Sequence, residues 1–364
     1  MKKILVTAPS RIYPVLIGPF IFESLPEVIK KYNLPERSFI IVDKKVESFH
    51  TSRIKNVVKK IPGKKYYLTV NSSEKLKSFQ GIQKIYRKLI EENFGRDTLL
   101  IAIGGGTVGD LTGFVASTFM RGIQIVHIPT TVISAADSSI GGKTAINFNG
   151  LKNNVGTFCQ PSLVLVDPSF FNSLPKKELV SGFGEIIKYS YLTDSEFYSE
   201  LISGFEFYFK KDPNFINHIL YECIKIKSSV ISQDEKEETG IRKILNFGHT
   251  FAHALESNSN YKLSHGKAVI AGIVFALFLS FKKGLLDKKQ FETMNDLPFK
   301  LKSHIHLNNF NEREMLDFMK HDKKNRNGKI NFVLIKNFGE LLVDISANEM
   351  EIISALKETK KLLV

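Results

Sequence analysis

The strongest constraint on the fold is an alternation. Up to about residue 170, short β-rich runs are separated by helical stretches, an order that builds a parallel sheet covered by helices. The candidate strands are FIIVD (39–43), YYLTV (66–70), LLIAIG (99–104), IQIVHIP (123–129) and LVLVD (163–167). Between the second and third, from about Glu74 to Asn93, Leu76, Phe79, Ile82, Ile85, Tyr86, Leu89 and Ile90 recur at helical spacing. After Pro175 helical patterns follow one another over 176–192, 213–234, 243–257, 265–282 and 312–321. The exception is GKINFVLIKNFGELLVDI near the C-terminus, which reads as a small hairpin turning at NFGE. These patterns predict an α/β domain over 1–172 with a mainly parallel sheet, and a mainly α-helical domain over 173–364.

Composition supports two cores: the chain has 364 residues, 43% of them hydrophobic. Its net charge of +14 fits either nucleic acid or an anionic substrate. Most of the cations are lysines scattered through amphipathic segments such as KKVESFHTSRIKNVVKK. No zinc-finger spacing or aromatic RNA-binding signature accompanies them, so no nucleic-acid partner is expected. Cys159 and Cys223 form no CxxC pair or framework, which fits a reducing compartment. The apolar run after MKK stops at Thr7 and Pro9, too short for a signal peptide. AVIAGIVFALFLSF at 268–281 falls below the roughly 20 residues needed to span a bilayer. A cytoplasmic protein without a membrane partner is the expectation.

GGGTVGD at 104–110 follows an apolar strand and opens a helix. Glycine there permits a tight turn and lets backbone N–H groups approach a phosphate at the positive helix end. Gly104, Gly106 and Gly109 satisfy GxGxxG, yet a tight packing turn produces the same spacing. The dinucleotide fingerprint belongs on the first strand, with an acidic residue about 20 positions later. Here the loop follows the third clear strand, and the best acidic candidate is Asp43, upstream at the end of FIIVD. A dinucleotide would therefore bind a variant of the doubly wound fold, and Asp43 reads equally as a ribose ligand or as a helix cap.

His249 and His253 stand four apart in LNFGHTFAHALE, which places them on one helical face about 6 Å apart in height. Such a pair is either a shared metal site or an ordinary polar contact. His265 in SHGKAV and Glu185, one turn ahead of Lys188 in SGFGEIIKYS, complete the mixed N/O set that a catalytic zinc takes, with a position open for substrate. His127, His304 and His306 lack such company and read as structural. In RGIQIVHIPTTVISAADSSIGGKTAINFNGLKNNVG, Arg121, Lys143, Lys152 and Asn153 are interleaved with glycines and hydroxyl residues, a loop-rich stretch suited to anions.

GGGTVGDLTGFVASTFMRGI, PTTVISAADSSIGGKTAIN, FNSLPKKELVSGFGEIIKY, DEKEETGIRKILNFGHTFAHALE and LSHGKAV, in that order across nearly the whole chain, resemble the 3-dehydroquinate synthase family of sugar phosphate cyclases. The resemblance implies an N-terminal NAD-binding α/β domain, a helical C-terminal domain, and a divalent metal in the cleft between them, usually zinc, with cobalt as the alternative. It implies a homodimer that converts 3-deoxy-D-arabino-heptulosonate 7-phosphate to 3-dehydroquinate and phosphate, in the shikimate pathway to the aromatic amino acids. The implied chemistry is transient oxidation by NAD, phosphate elimination, re-reduction, ring opening and aldol closure.

Carried over by motif, the metal ligands fall on Glu185, His249 and His265. NAD contacts fall on Asp43, Glu74, Lys77, the loop Gly105, Gly106, Thr107, Val108, Gly109 and Asp110, then Thr130, Thr131, Lys143, Lys152, Phe170, Phe171, Asn172 and Ser173. The substrate pocket falls on Asp137, Lys143, Asn153, Lys188, Lys227, Arg242, Asn246, His253 and Lys323, with Arg121 reaching the substrate phosphate from the neighbouring subunit. Two departures stand out: Leu151 where the family usually has glycine, and one extra residue between acid and arginine in DEKEETGIR. Another sugar phosphate cyclase or a metal-dependent polyol dehydrogenase would share much of this plan.

Overall fold

The computed structural model describes residues 1–149, 151–259, 262–305, 307, 309–320 and 330–364. The chain forms two compact units, Met1–Leu174 with Lys211–Lys236, and Pro175–Lys210 with Glu237–Val364.

The first unit is built on a seven-stranded sheet in the order β1-β2-β9-β6-β5-β3-β4. Its strands are β1 (Lys2–Ala8), β2 (Arg11–Ile17), β3 (Arg37–Asp43), β4 (Lys65–Val70), β5 (Thr98–Gly104), β6 (Gln124–Pro129) and β9 (Leu163–Val166), with β7 (Lys143–Phe148) and β8 (Leu151–Phe158) forming a separate hairpin. All five expected strands are present. β1 pairs antiparallel with β2, and the other neighbours run parallel. Parallel strands buried on both faces need continuous apolar runs, and β5 is buried at every residue. On one face, Phe39, Ile41, Leu100, Ala102 and Ile125 of the sheet form a core with Ile82, Ile85 and Leu89 of the helix Phe79–Glu91 and Val108, Leu111 and Val115 of the helix Gly106–Thr118. Each such aliphatic side chain contributes about 1.5–3 kcal/mol when fully buried.

Three local expectations change. The helix placed from Glu74 begins at Phe79, because the Ser78 hydroxyl accepts from Gly81 N–H and caps it there. The short apolar run after MKK, to which the sequence reading assigns no element, is part of β1 in the β1–β2 hairpin. Residues 143–158, read as loop, form the β7–β8 hairpin. The chain adds β4 outside β3, then returns to lay β5, β6 and β9 on the other side. The order therefore reverses between β3 and β5, the place where open α/β sheets bind ligands at the carboxyl ends of their strands.

The division between units also differs from the one read along the sequence. The first break lies at Leu174 and Pro175, close to the expected 172 and 173, but Lys211–Lys236 returns to the first unit. The helix Pro213–Gln233 buries Ile216, Ile219, Leu220, Cys223 and Ile224 at helical spacing and packs on β1.

In the second unit, helices surround His265–Lys282, which packs on His249–Asn258, Lys176–Tyr191, Lys288–Lys300, Glu349–Leu363 and strand β10 (Asn331–Asn337). β10 pairs with β11 (Glu340–Ser346) in the expected hairpin. At 18 residues and mean hydropathy 1.5, His265–Lys282 is long and apolar enough to cross a membrane by length and composition, but 78% of it is buried within the unit, as in the core helix of a folded domain. The helix expected over 243–257 is divided into a 3-10 turn, Ile241–Asn246, and an α-helix starting at His249. Gly248, at φ +78°, makes the break.

Two places in this unit bring backbone against backbone. A Cβ on Gly266 would lie 1.7 Å from the Ser181 carbonyl oxygen, and one on Gly272 would lie 1.9 Å from that of Gly248. These contacts draw Lys176–Tyr191 and the start of His249–Asn258 onto the central helix. Because backbone atoms cannot swing aside as side chains do, Gly272→Ala should cost about 3 kcal/mol or more, the upper end of overpacking penalties. Urea unfolding would measure it; an unchanged midpoint would contradict the packing described.

Candidate active site

The close packing in the second unit converges three polar side chains. Glu185 is fully buried on Lys176–Tyr191, while His249 and His265 are the first residues of their helices. One donor atom from each lies within 4.8 Å of the others, the one such group found among the described residues. His265 Nε2 is 2.9 Å and His249 Nε2 3.5 Å from Glu185 Oε1, and Lys188 Nζ is 2.5 Å from Glu185 Oε2.

The far nitrogens fix the rings. His265 Nδ1 is 3.2 Å from Glu256 Oε2 and His249 Nδ1 is 3.2 Å from the Phe247 carbonyl. With each Nδ1–H donating outward, both Nε2 atoms face the shared space, the arrangement that orients histidines for a metal, which on binding would displace the proton His265 Nε2 shares with Glu185. Glu256 was not singled out from the sequence, although it stands seven residues after His249, two turns along the same face.

The charges follow from burial and pairing. Burial lowers the His249 pKa to about 4, assisted by Lys188 and opposed by Glu185, so its ring is neutral near pH 7. Burial would lower His265 too, but Glu185 and Glu256 outweigh it and push that pKa up to about 10. Burial would raise Glu185, but Lys188 and the two histidines hold it well below the ordinary carboxylate value. A buried carboxylate with two oriented imidazoles is a donor set that suits a divalent cation of the zinc type.

His253 stands one turn beyond His249, with ring centroids 5.5 Å apart, and is not in the converging set. In the same unit, Arg242 is buried in the Ile241–Asn246 turn and Asn246 donates to Glu237 Oε1 at 3.1 Å. Lys323 lies outside the described residues.

In the first unit, the glycine loop and Asp43 both sit at the strand-order reversal, at the ends of β5 and β3. Asp43 caps the helix Lys44–Lys60, accepting from Lys45 N–H at 2.9 Å, and also accepts from Ser72 Oγ at 2.5 Å. Gly104 gives a tight turn over Val108, since its Cβ would lie 2.7 Å from that of Val108. Gly105, Gly106, Thr107, Gly109 and Asp110 are half-buried around the start of the following helix. Cβ atoms on Gly105 and Gly106 would lie 3.1 Å from Thr131 and Ser138, so side chains there would crowd the cradle.

Lys77, nearly buried, draws several carried-over positions together. Its Nζ is 2.5 Å from Asp110 Oδ2 and also donates to the Asn153 side-chain oxygen. Asn147, not singled out from the sequence, ties Glu74 to Asn153: its Nδ2 donates to Glu74 Oε2 at 2.7 Å, and its Oδ1 accepts from Asn153 N–H at 3.0 Å. Lys227, on the returning helix, donates to the Asp137 carbonyl at 2.8 Å and to Asp137 Oδ1 at 2.5 Å. Thr131 bonds Ser134 at 2.8 Å, while Thr130 is buried beside it. Phe170 and Phe171 are buried in the turn Pro168–Ser173, Asn172 is exposed, and Ser173 Oγ is 3.0 Å from His50 Nε2. Lys143 and Lys152 lie on β7 and β8. Arg121 is exposed at φ +65°, directly after Met120 at φ +48°. Left-handed backbone costs of order 1–3 kcal/mol at each such residue and persists where surrounding structure imposes it.

Comparison with known proteins agrees across the whole chain. Residues 67–181 match the family described as "3-dehydroquinate synthase N-terminal", and residues 182–325 match "3-dehydroquinate synthase C-terminal". A protein named 3-dehydroquinate synthase from Pelagibacter ubique (strain HTCC1062) is 39% identical over 366 residues, covering 98% of each chain. Among solved structures, 2-deoxy-scyllo-inosose synthase, complexed with carbaglucose-6-phosphate, NAD+ and Co2+, has a TM-score of 0.85 at 21% identity, covering 98% of this chain and 99% of its own. ValA, a 2-epi-5-epi-valiolone synthase from Streptomyces hygroscopicus subsp. jinggangensis 5008 with NAD+ and Zn2+ bound, has a TM-score of 0.86 at 24% identity, covering 96% and 97%. Those two likenesses carry the fold, and the closer sequence match carries the family: the chain is a member of the 3-dehydroquinate synthase family.

Proposed function

We propose that the chain converts 3-deoxy-D-arabino-heptulosonate 7-phosphate to 3-dehydroquinate and phosphate, using NAD and a divalent metal. The observation that carries this reading is the convergence of Glu185, His249 and His265 in a chain of this family. Those three side chains would hold the metal, zinc or cobalt, as the neighbours with bound Zn2+ and Co2+ do in their own sites. The Gly105–Asp110 loop, Asp43, Glu74, Lys77, Thr130, Thr131, Lys152 and Phe170–Ser173 would hold NAD. Bound there, the metal would acidify substrate hydroxyls and NAD would accept and return a hydride.

The chain's own residues position the substrate. Its phosphate and carboxylate call for several cations, which Lys143, Lys227, Arg242, Lys323 and Arg121 supply. Asp137 orients Lys227, and Asn153 and Asn246 add amide contacts. Lys188, beside Glu185, and His253 are the candidates for moving protons, since both stand next to the metal set rather than within it. Many fixed contacts also keep successive intermediates aligned. Arg121 acts from the neighbouring subunit of a homodimer; its exposure on strained backbone supports that role. A reducing cytoplasmic setting accords with Cys159 and Cys223 not being joined in a disulfide.

Two measurements test the reading. His249→Ala should lose both bound metal and turnover, whereas His253→Ala should keep metal while activity falls on the order of 10²-fold or more, the usual weight of a proton-transfer group. Equal zinc loss in both variants would refute that division of roles. In a phosphate-release assay, the heptulosonate substrate should yield phosphate only with metal and NAD present, and with no net NADH. Chelator should stop release. Release from glucose 6-phosphate or sedoheptulose 7-phosphate instead would assign the chain to a different sugar phosphate cyclase, and NADH accumulation would make it a dehydrogenase.

A further inference from the structure

Beneath the glycine loop of the first unit lies a small pocket lined by Gly104, Gly105, Gly106, Gly109, His127 and Ser139, among others. His127, which the sequence marks only as a structural residue on an apolar strand, lies in β6, 6% exposed, between Ala102 of β5 and Val164 of β9. A Cβ on Gly109 would lie 3.6 Å from His127 Nδ1 and one on Gly113 4.0 Å from its Cε1, so the ring packs against the first two turns of Gly106–Thr118. Among the described residues no hydrogen bond reaches the His127 ring, and the Ser139 hydroxyl, 7% exposed on the same lining, is buried without a partner.

Buried polar groups are nearly always paired, and leaving one unpaired costs about 1–3 kcal/mol. An imidazole and a hydroxyl turned into a cavity at a helix N-terminus form a polar floor for an anion held by the backbone N–H groups above. Burial lowers the His127 pKa to about 4, so the ring reaches neutral pH uncharged, with one N–H to donate.

We propose that His127, supported by Ser139, is a further binding residue of the nucleotide site and donates a hydrogen bond to the diphosphate held by the glycine loop. The inference rests on the NAD reading of that loop. An apolar side chain would fill the same space in the sheet; only a bound acceptor gives the imidazole a role there. The contact is neutral, so it directs the diphosphate without adding to the cations that must hold the substrate.

The test compares ADP, which carries the diphosphate, with adenosine, which does not, by titration calorimetry on the full-length protein. The wild type should bind ADP more tightly than adenosine. His127→Leu should weaken ADP binding roughly tenfold, about 1.4 kcal/mol, while changing adenosine by less than about twofold, since adenosine offers no phosphate acceptor. His127→Gln, which keeps an N–H donor, should restore ADP affinity to within about threefold of wild type. Should His127→Leu fail to fold, Ser139→Ala carries the same ADP-selective loss. ADP affinity unchanged in His127→Leu, or equal losses for ADP and adenosine, would overturn the assignment while leaving the loop a nucleotide site. A wild type that binds neither ADP nor NAD would overturn the nucleotide reading itself.

Discussion

Glu185 is a fully buried carboxylate, and the second unit is arranged around keeping it charged. A carboxylate removed from water costs several kcal/mol unless paired, and removing one partner of a buried ionic set is far more damaging than never having built it. Lys188 and two imidazoles supply the pairing. They can do so only because Gly266 and Gly272 let three backbone segments approach more closely than any side chain allows. Packing and chemistry are therefore one constraint here: the contacts that stabilise the helices also set the spacing of the donors.

The first unit solves a different problem with a related device. Its strand order reverses between β3 and β5, leaving a crevice at their carboxyl ends, and glycines keep side chains out of the loop that crosses it. Around that loop the polar groups are mutually held, Lys77 by Asp110 and Asn153, Asn147 by Glu74, Lys227 by Asp137. Such networks hold side chains in one geometry before any ligand arrives, which reduces the ordering cost of binding.

The parts of this arrangement legible in the sequence were those where residue type carries the chemistry. The parallel strands showed as uninterrupted apolar runs, the glycine loop as a break that only glycine tolerates, and the donor set as histidines and a carboxylate in separate helical segments. What escaped was what tertiary packing decides. The Pro213–Gln233 helix displays its apolar stripe openly, but no local signal says that the stripe meets β1 rather than the helices before and after it. The β7–β8 hairpin was hidden by its glycines and polar residues, which read as loop, and the β1–β2 hairpin by Lys2, Lys3 and Pro14, poor strand formers. Glu256 was detectable by helical spacing, whereas the cavity beside His127 exists only once the Gly106–Thr118 helix lies over β6.

The break at Gly248 has a consequence for the field around Glu185. By ending one turn and starting another, it makes His249 the first residue of its helix, as His265 is of the central one. Each helix start carries a partial positive charge of about half a unit. The carboxylate touched by both imidazoles therefore lies beside two positive helix ends, which favour its ionised form. The same field would draw a developing oxyanion toward this corner of the unit, so the backbone joins the side chains in choosing which charges the site accepts.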